Sequence, residues 1–94
     1  MIKDFADKES KKLYTTGKSR KLPGDLIRQT LRKLEQINSA GKIEDLMIFP
    51  GNRFERMKGK MKRKYSIRIN DQWRILFSFA EGDAFDVEIT DYHK

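Results

Sequence analysis

Two hydrophobic periods divide the chain. In DLIRQTLRKLEQINSA, Ile27, Leu31, Leu34 and Ile37 recur at the spacing of one helical face, so an amphipathic helix with one side to bury is expected. It opens after Pro23 and Gly24 with Asp25 as its cap and stops before Gly41. From Tyr65 onward the period falls to two. YSIRI sets Tyr65, Ile67 and Ile69 against Ser66 and Arg68, and WRILFSF sets Trp73, Ile75, Phe77 and Phe79 on one side. FDVEIT turns Phe85, Val87 and Ile89 inward and Asp86, Glu88 and Thr90 outward. NDQ and AEGDA are turns between these runs, so the second half reads as an antiparallel meander.

The remaining elements are shorter. MIKDF alternates weakly, as a short first strand would, and Asp7 caps a helix in DKESKKLYTT that Gly17 ends. KSRKLPG is a basic loop, IEDLM adds a helical turn, FPGN breaks the pattern, and FERMKG is a weak strand. No repeat or linker interrupts the 94 residues. The expectation is one α+β domain spanning 1–94, with N-terminal helices on one face of a C-terminal antiparallel sheet.

Side-chain alternation assigns the other sheet face without coordinates. Ser66, Arg68, Arg74, Ser78 and Glu88 point away from the apolar sets, and continued alternation adds Tyr92. Trp73 falls on the apolar side and belongs to the core.

Charge gives that polar face a meaning. From Gly51 to Arg74 there are nine cations against Glu55 and Asp71, while the rest of the chain carries twelve of each sign, so the whole net +7 lies in one quarter of the sequence. RMKGKMKRK, Arg56 to Lys64, contains six cations and no anion. Such a run repels itself and favours a polyanion lying across it, which points to nucleic acid. Its cations do not form one face of an amphipathic helix, which disfavours a membrane surface. Arginines on neighbouring strands with an aromatic platform are suited to single-stranded RNA, phosphates on the guanidinium groups and a base on the ring.

Other chemistries are thinly provided for. One histidine and no cysteine cannot assemble a zinc site, and Asp83, Asp86, Glu88 and Asp91 alternate faces where magnesium would need them convergent. No metal and no cofactor is expected. Gly51, Gly59 and Gly82 are isolated and make no phosphate-cradling loop. The lack of cysteine, of a membrane-spanning apolar run and of a signal-peptide pattern in MIKDFADKE gives the expectation of a cytoplasmic protein.

Several segments together resemble the HigB-type toxins of the RelE/ParE superfamily: KLYTTGKSRKLP, LEQINSA, LMIFPGNRFERMKG, YSIRINDQWRILF and the closing VEITDYH. The likeness covers nearly the whole chain and is most specific in SIRINDQWRI and DYH. It implies the toxin of a type II toxin–antitoxin system, an endoribonuclease that enters the A site of the small ribosomal subunit and cuts mRNA by attack of the 2′-hydroxyl on the adjacent phosphate. It also implies a helix-turn-helix antitoxin of HigA type, through which alone operator DNA would be met. The alternative within the superfamily is a ParE-like inhibitor of DNA gyrase.

Matched position by position, Asp91, Tyr92 and His93 correspond to the family's functional C-terminus, and Lys58 to a basic residue before a glycine at the end of the preceding strand. Lys58, Arg68 and Arg74 would face the charge that develops on the phosphorane. Related toxins can carry a histidine three residues before that lysine, where this chain has Glu55. The general base is therefore open among Glu55, Asp91 and His93. Arg53, Arg56, Lys60, Lys62, Arg63 and Lys64 are assigned to docking on RNA and the ribosome.

Overall fold

The computed structural model describes residues 1–59 and 63–91. Three helices precede a four-stranded sheet: α1 Lys8–Thr16, α2 Ile27–Ser39, α3 Glu44–Met47, then β1 Glu55–Arg56, β2 Tyr65–Arg68, β3 Trp73–Ala80 and β4 Asp83–Asp91. The strands lie in sequence order and each pairs antiparallel with the next. The helices contact the sheet through β4, and Leu34, Ile37, Ile67, Ile75, Phe77 and Val87 are fully buried where the layers meet. This is the α+β arrangement that the two periods predict.

Local signals set most boundaries. Asp7 accepts a hydrogen bond from the Ser10 amide at 2.6 Å and opens α1, and Gly17 closes it at φ 74° with its amide on the Leu13 carbonyl at 2.8 Å. The cap expected of Asp25 does not form. Gly24–Leu26 makes a 3₁₀ turn instead, the Leu26 amide reaching the Pro23 carbonyl at 3.0 Å, and α2 begins after it with no side-chain cap. Tyr14 Oη donates to Glu35 Oε2 at 3.2 Å and ties α1 to α2. Burial, the Glu35 charge and this bond together raise the Tyr14 pKa.

The MIKDF stretch runs parallel to β4 and bridges to it at Ile2 with Ala84 and at Phe5 with Val87. Ser10 Oγ accepts from the Ile89 amide at 3.0 Å and Lys21 Nζ donates to its carbonyl at 3.2 Å. Much of the outer edge of β4 is thus satisfied before it can pair with another chain. FERMKG contributes only two paired residues, β1.

One expectation about β4 is overturned. Leu76 faces Glu88 and Ser78 faces Phe85, so two steps along β3 are matched by three along β4. Asp86 takes up the extra residue at φ 52°, and side-chain parity reverses across it. Ala84 therefore occupies the core, fully buried, while Phe85 sits opposite Ser78 on the other face, half-exposed.

Glu81 and Gly82 close the β3–β4 hairpin with φ of 51° and 82°, the pair of left-handed residues that matches strand twist in a two-residue turn. Glutamate is strained there. Glu81→Asn is expected to stabilise the protein by about 0.5–1 kcal/mol, read as a higher denaturation midpoint with an unchanged denaturant slope.

Candidate nucleic-acid interface

The turn between β2 and β3 brings two arginines together on the sheet. Asn70 Oδ1 accepts from the amides of Gln72 at 2.9 Å and Trp73 at 2.8 Å, and the Ile69 amide closes the hairpin on the Trp73 carbonyl at 2.9 Å. This places Arg68 directly across from Arg74, on one face, with Thr90 across from Arg74 on β4. Like charges opposite one another are unfavourable unless something negative is near. Asp71 supplies part of that by pairing with Arg68. Its carboxylate is 94% exposed, so solvent screens the pair and a bound phosphate can compete for the guanidinium group.

Beyond this pair the same face carries a second row across all four strands: Glu55, Ser66, Leu76 and Glu88. Its centre is not wet. Ser66 is fully buried and Leu76 is 7% exposed, so the polar surface drawn by alternation has an apolar middle, with the charged groups at the turn and at the edges. Ser66 Oγ has no hydrogen-bond partner among the described residues.

The other expected site residues fall in different places. Glu55 is exposed on the edge strand and shares the face of the two arginines. Lys58 is exposed just past β1, where the Met57 amide bonds the Lys64 carbonyl at 2.9 Å. Asp91 stands opposite Trp73 and accepts from Gln72 Nε2 at 2.9 Å, so register sets it on the helix-bearing face, away from Arg68 and Arg74. Arg56 lies over the Tyr65 ring at 5.5 Å, a cation–π contact, and Arg53 is exposed in a left-handed conformation at φ 41°. Arg63 is exposed and Lys64 half-buried. Lys60, Lys62, Tyr92 and His93 lie outside the described residues, among which no cluster of three acidic or histidine side chains could hold a metal ion.

A second polar centre escapes the sequence reading. The buried line of α2 is Thr30, Lys33, Leu34 and Ile37, with Ile27 and Leu31 only half-buried, so a lysine sits within the apolar stripe. Lys33 is 8% exposed, and its ammonium donates to Asn52 Oδ1 at 2.7 Å and the Gly51 carbonyl at 3.4 Å. Asn52, itself buried, donates onward to Gln36 Oε1 at 3.1 Å and the Leu46 carbonyl at 3.3 Å. Burial lowers the Lys33 pKa, and the charge of Arg68 lowers it further. Lys33 follows Thr30 by three residues and precedes Ile37 by four, which is the one sign of burial that the sequence offers.

The comparison with known families settles the lineage of this arrangement. The family of RelE-like HigB toxins of type II toxin–antitoxin systems matches residues 3–93. The chain belongs to the HigB-like toxin family. Toxin HigB-1 of Vibrio cholerae is 38% identical over 95 residues, covering 100% of this chain and 99% of that protein. Endoribonuclease HigB of Proteus vulgaris is 32% identical over 95 residues, covering 99% of this chain and 100% of that one. A protein of Haemophilus influenzae named only as uncharacterized is 31% identical over 81 residues. Membership makes this chain the toxin of a type II pair and gives it an antitoxin partner. Among the described residues of this HigB-like toxin, no helix is long and apolar enough to cross a membrane.

Proposed function

We propose that this toxin is a ribosome-dependent endoribonuclease that cuts mRNA in the A site. The observation that carries the reading is the Arg68–Arg74 pair, two guanidinium groups held across adjacent strands by a tight turn, with the exposed Asp71 carboxylate competing for Arg68. Such a pair suits a phosphodiester whose charge rises in the transition state. The name of the Proteus relative agrees with this reading.

In this mechanism the ribose 2′-hydroxyl gives its proton to a base and attacks the neighbouring phosphorus. The 5′-oxygen leaves and takes a proton, so the products are a 2′,3′-cyclic phosphate and a 5′-hydroxyl. The substrate supplies its own nucleophile, so no hydroxide need be generated on a metal. Arg68 and Arg74 stabilise the phosphorane, Lys58 adds a third cation from the strand edge, and Tyr92 stacks on a base to hold the attack in line. Of the three candidate bases, Glu55 shares the arginine face and Asp91 does not, so register favours Glu55, with His93 as the other claimant. Arg53, Arg56, Lys60, Lys62, Arg63 and Lys64 steer the toxin onto ribosomal RNA. A HigA-like helix-turn-helix antitoxin restrains it in the cytoplasm, and operator DNA is contacted only through that partner.

The test is induction in cells followed by mapping of mRNA 5′ ends, beside a gyrase supercoiling assay. New ends inside translated reading frames that vanish when initiation is blocked are the expected result. Intact messages together with inhibited supercoiling would replace this reading with gyrase inhibition.

A further inference from the structure

The second cationic centre faces a cleft of about 470 Å³ along α2, whose polar lining includes Arg28, Gln29, Arg32, Lys33, Gly51 and Asn52. Arg28 and Arg32 are exposed and have neither an ion-pair nor a hydrogen-bond partner among the described residues. Lys33 is nearly buried, yet both its acceptors among the described residues are neutral oxygens, which leaves one of its three donors without a partner among those residues. A buried ammonium satisfied only by neutral groups calls for an anion nearby. Asp25 is the one acid in the lining, against three cations.

The cleft adjoins the Arg68–Arg74 pair. Gln29 Nε2 donates to the Ile69 carbonyl at 2.7 Å, which fastens α2 to the turn that carries Arg68. Arg28 and Arg32 stand one helical turn apart, about 6 Å along the axis, so they offer a row of positive charge. An extended chain of phosphates fits a row better than a compact carboxylate does.

We propose that this cleft is a second phosphodiester-binding site, which holds the RNA backbone where it passes from the arginine pair around the β2–β3 turn onto α2. The choice of RNA as occupant rests on the nuclease reading above; the anion site itself does not. Arg28 and Arg32 grip successive phosphates from outside, and Lys33 with the second hydrogen of the Gln29 amide donates from the floor, where Asn52 holds the ammonium in place.

The full-length toxin, labelled with ¹⁵N, is titrated with inorganic phosphate, with an oligouridylate, and with a polyglutamate peptide of the same charge. Phosphate and oligouridylate are expected to shift the side-chain amides of Gln29 and Asn52. The exposed double variant Arg28→Ala with Arg32→Ala is expected to keep its melting temperature. It should bind oligouridylate at least tenfold more weakly at low salt, with the slope of log K against log salt reduced by about 1.4, the loss of two contacts to a single strand. Unmoved amides or an unchanged slope would overturn the proposal, and so would polyglutamate binding there more tightly than oligouridylate, which would make the cleft a site for an acidic protein segment. The two readings fail separately. Mapped cleavage with a silent cleft removes only this site, whereas phosphate-shifted amides with no cleavage in cells remove only the nuclease.

Discussion

Arg68→Ala or Arg74→Ala is expected to reduce translation-coupled cleavage about 10²–10³-fold, the usual cost of losing one preorganised donor to a developing oxyanion. Quantitative mapping of 5′ ends after induction, at matched toxin levels, reads the effect. The two substitutions combined should cost much less than the product of the single losses, because both guanidinium groups serve one phosphate and the site works as a unit. Lysine in either place keeps the charge but loses the planar fork, so Arg74→Lys should restore only part of the activity. Neither change removes apolar core, so melting temperatures should stay near the parent value. Full cleavage by both alanine variants would leave the opposed arginines without a catalytic role.

Asn52→Ala is expected to be the most destabilising polar substitution, at about 2–4 kcal/mol, because it strips the nearer acceptor from a buried ammonium. It also leaves the Leu46 carbonyl and Gln36 without the Asn52 amide. For a chain of this size the loss corresponds to a fall in melting temperature of about 10–25 °C. Changing Lys33 to Met as well removes the stranded charge and should recover part of it.

The alkaline limb carries the same signature. Burial lowers the Lys33 pKa in the folded state, so between that lowered value and the ordinary lysine value the unfolded chain binds the extra proton, and stability rises with pH. Tyr14 acts oppositely: its raised pKa makes a contribution that is complete below the ordinary tyrosine value and is lost as pH climbs through the folded one. Lys33→Met should therefore abolish the rise and leave the fall. Denaturant midpoints from neutrality into the alkaline range measure both, and a rise that survives in Lys33→Met would assign it to another group.

Much of this protein is written locally. The α1 boundaries follow from Asp7 and Gly17, whose bonds reach three and four residues, and the hairpin at Asn70 follows from an amide that folds onto its own turn. Alternation alone puts Arg68 and Arg74 on one face and Trp73 in the core, because period-two geometry needs no knowledge of the partner strand.

What tertiary structure decided lies where distant segments meet. The bulge at Asp86 exists because β4 must match β3 while the N-terminal segment pairs along its other edge, and that one residue moved Phe85 out of the core. The family resemblance placed Asp91 with the arginines in one candidate site, whereas the register opposite Trp73 holds it on the other face, the side that alternation also gives it. Lys33 reads as one more surface cation until Asn52, nineteen residues away, arrives beneath it. Sequence determines what each short segment prefers through interactions a few bonds long; which buried charge finds a partner, and which residues stand directly opposite one another across strands, depends on contacts that exist only once the chain has closed on itself.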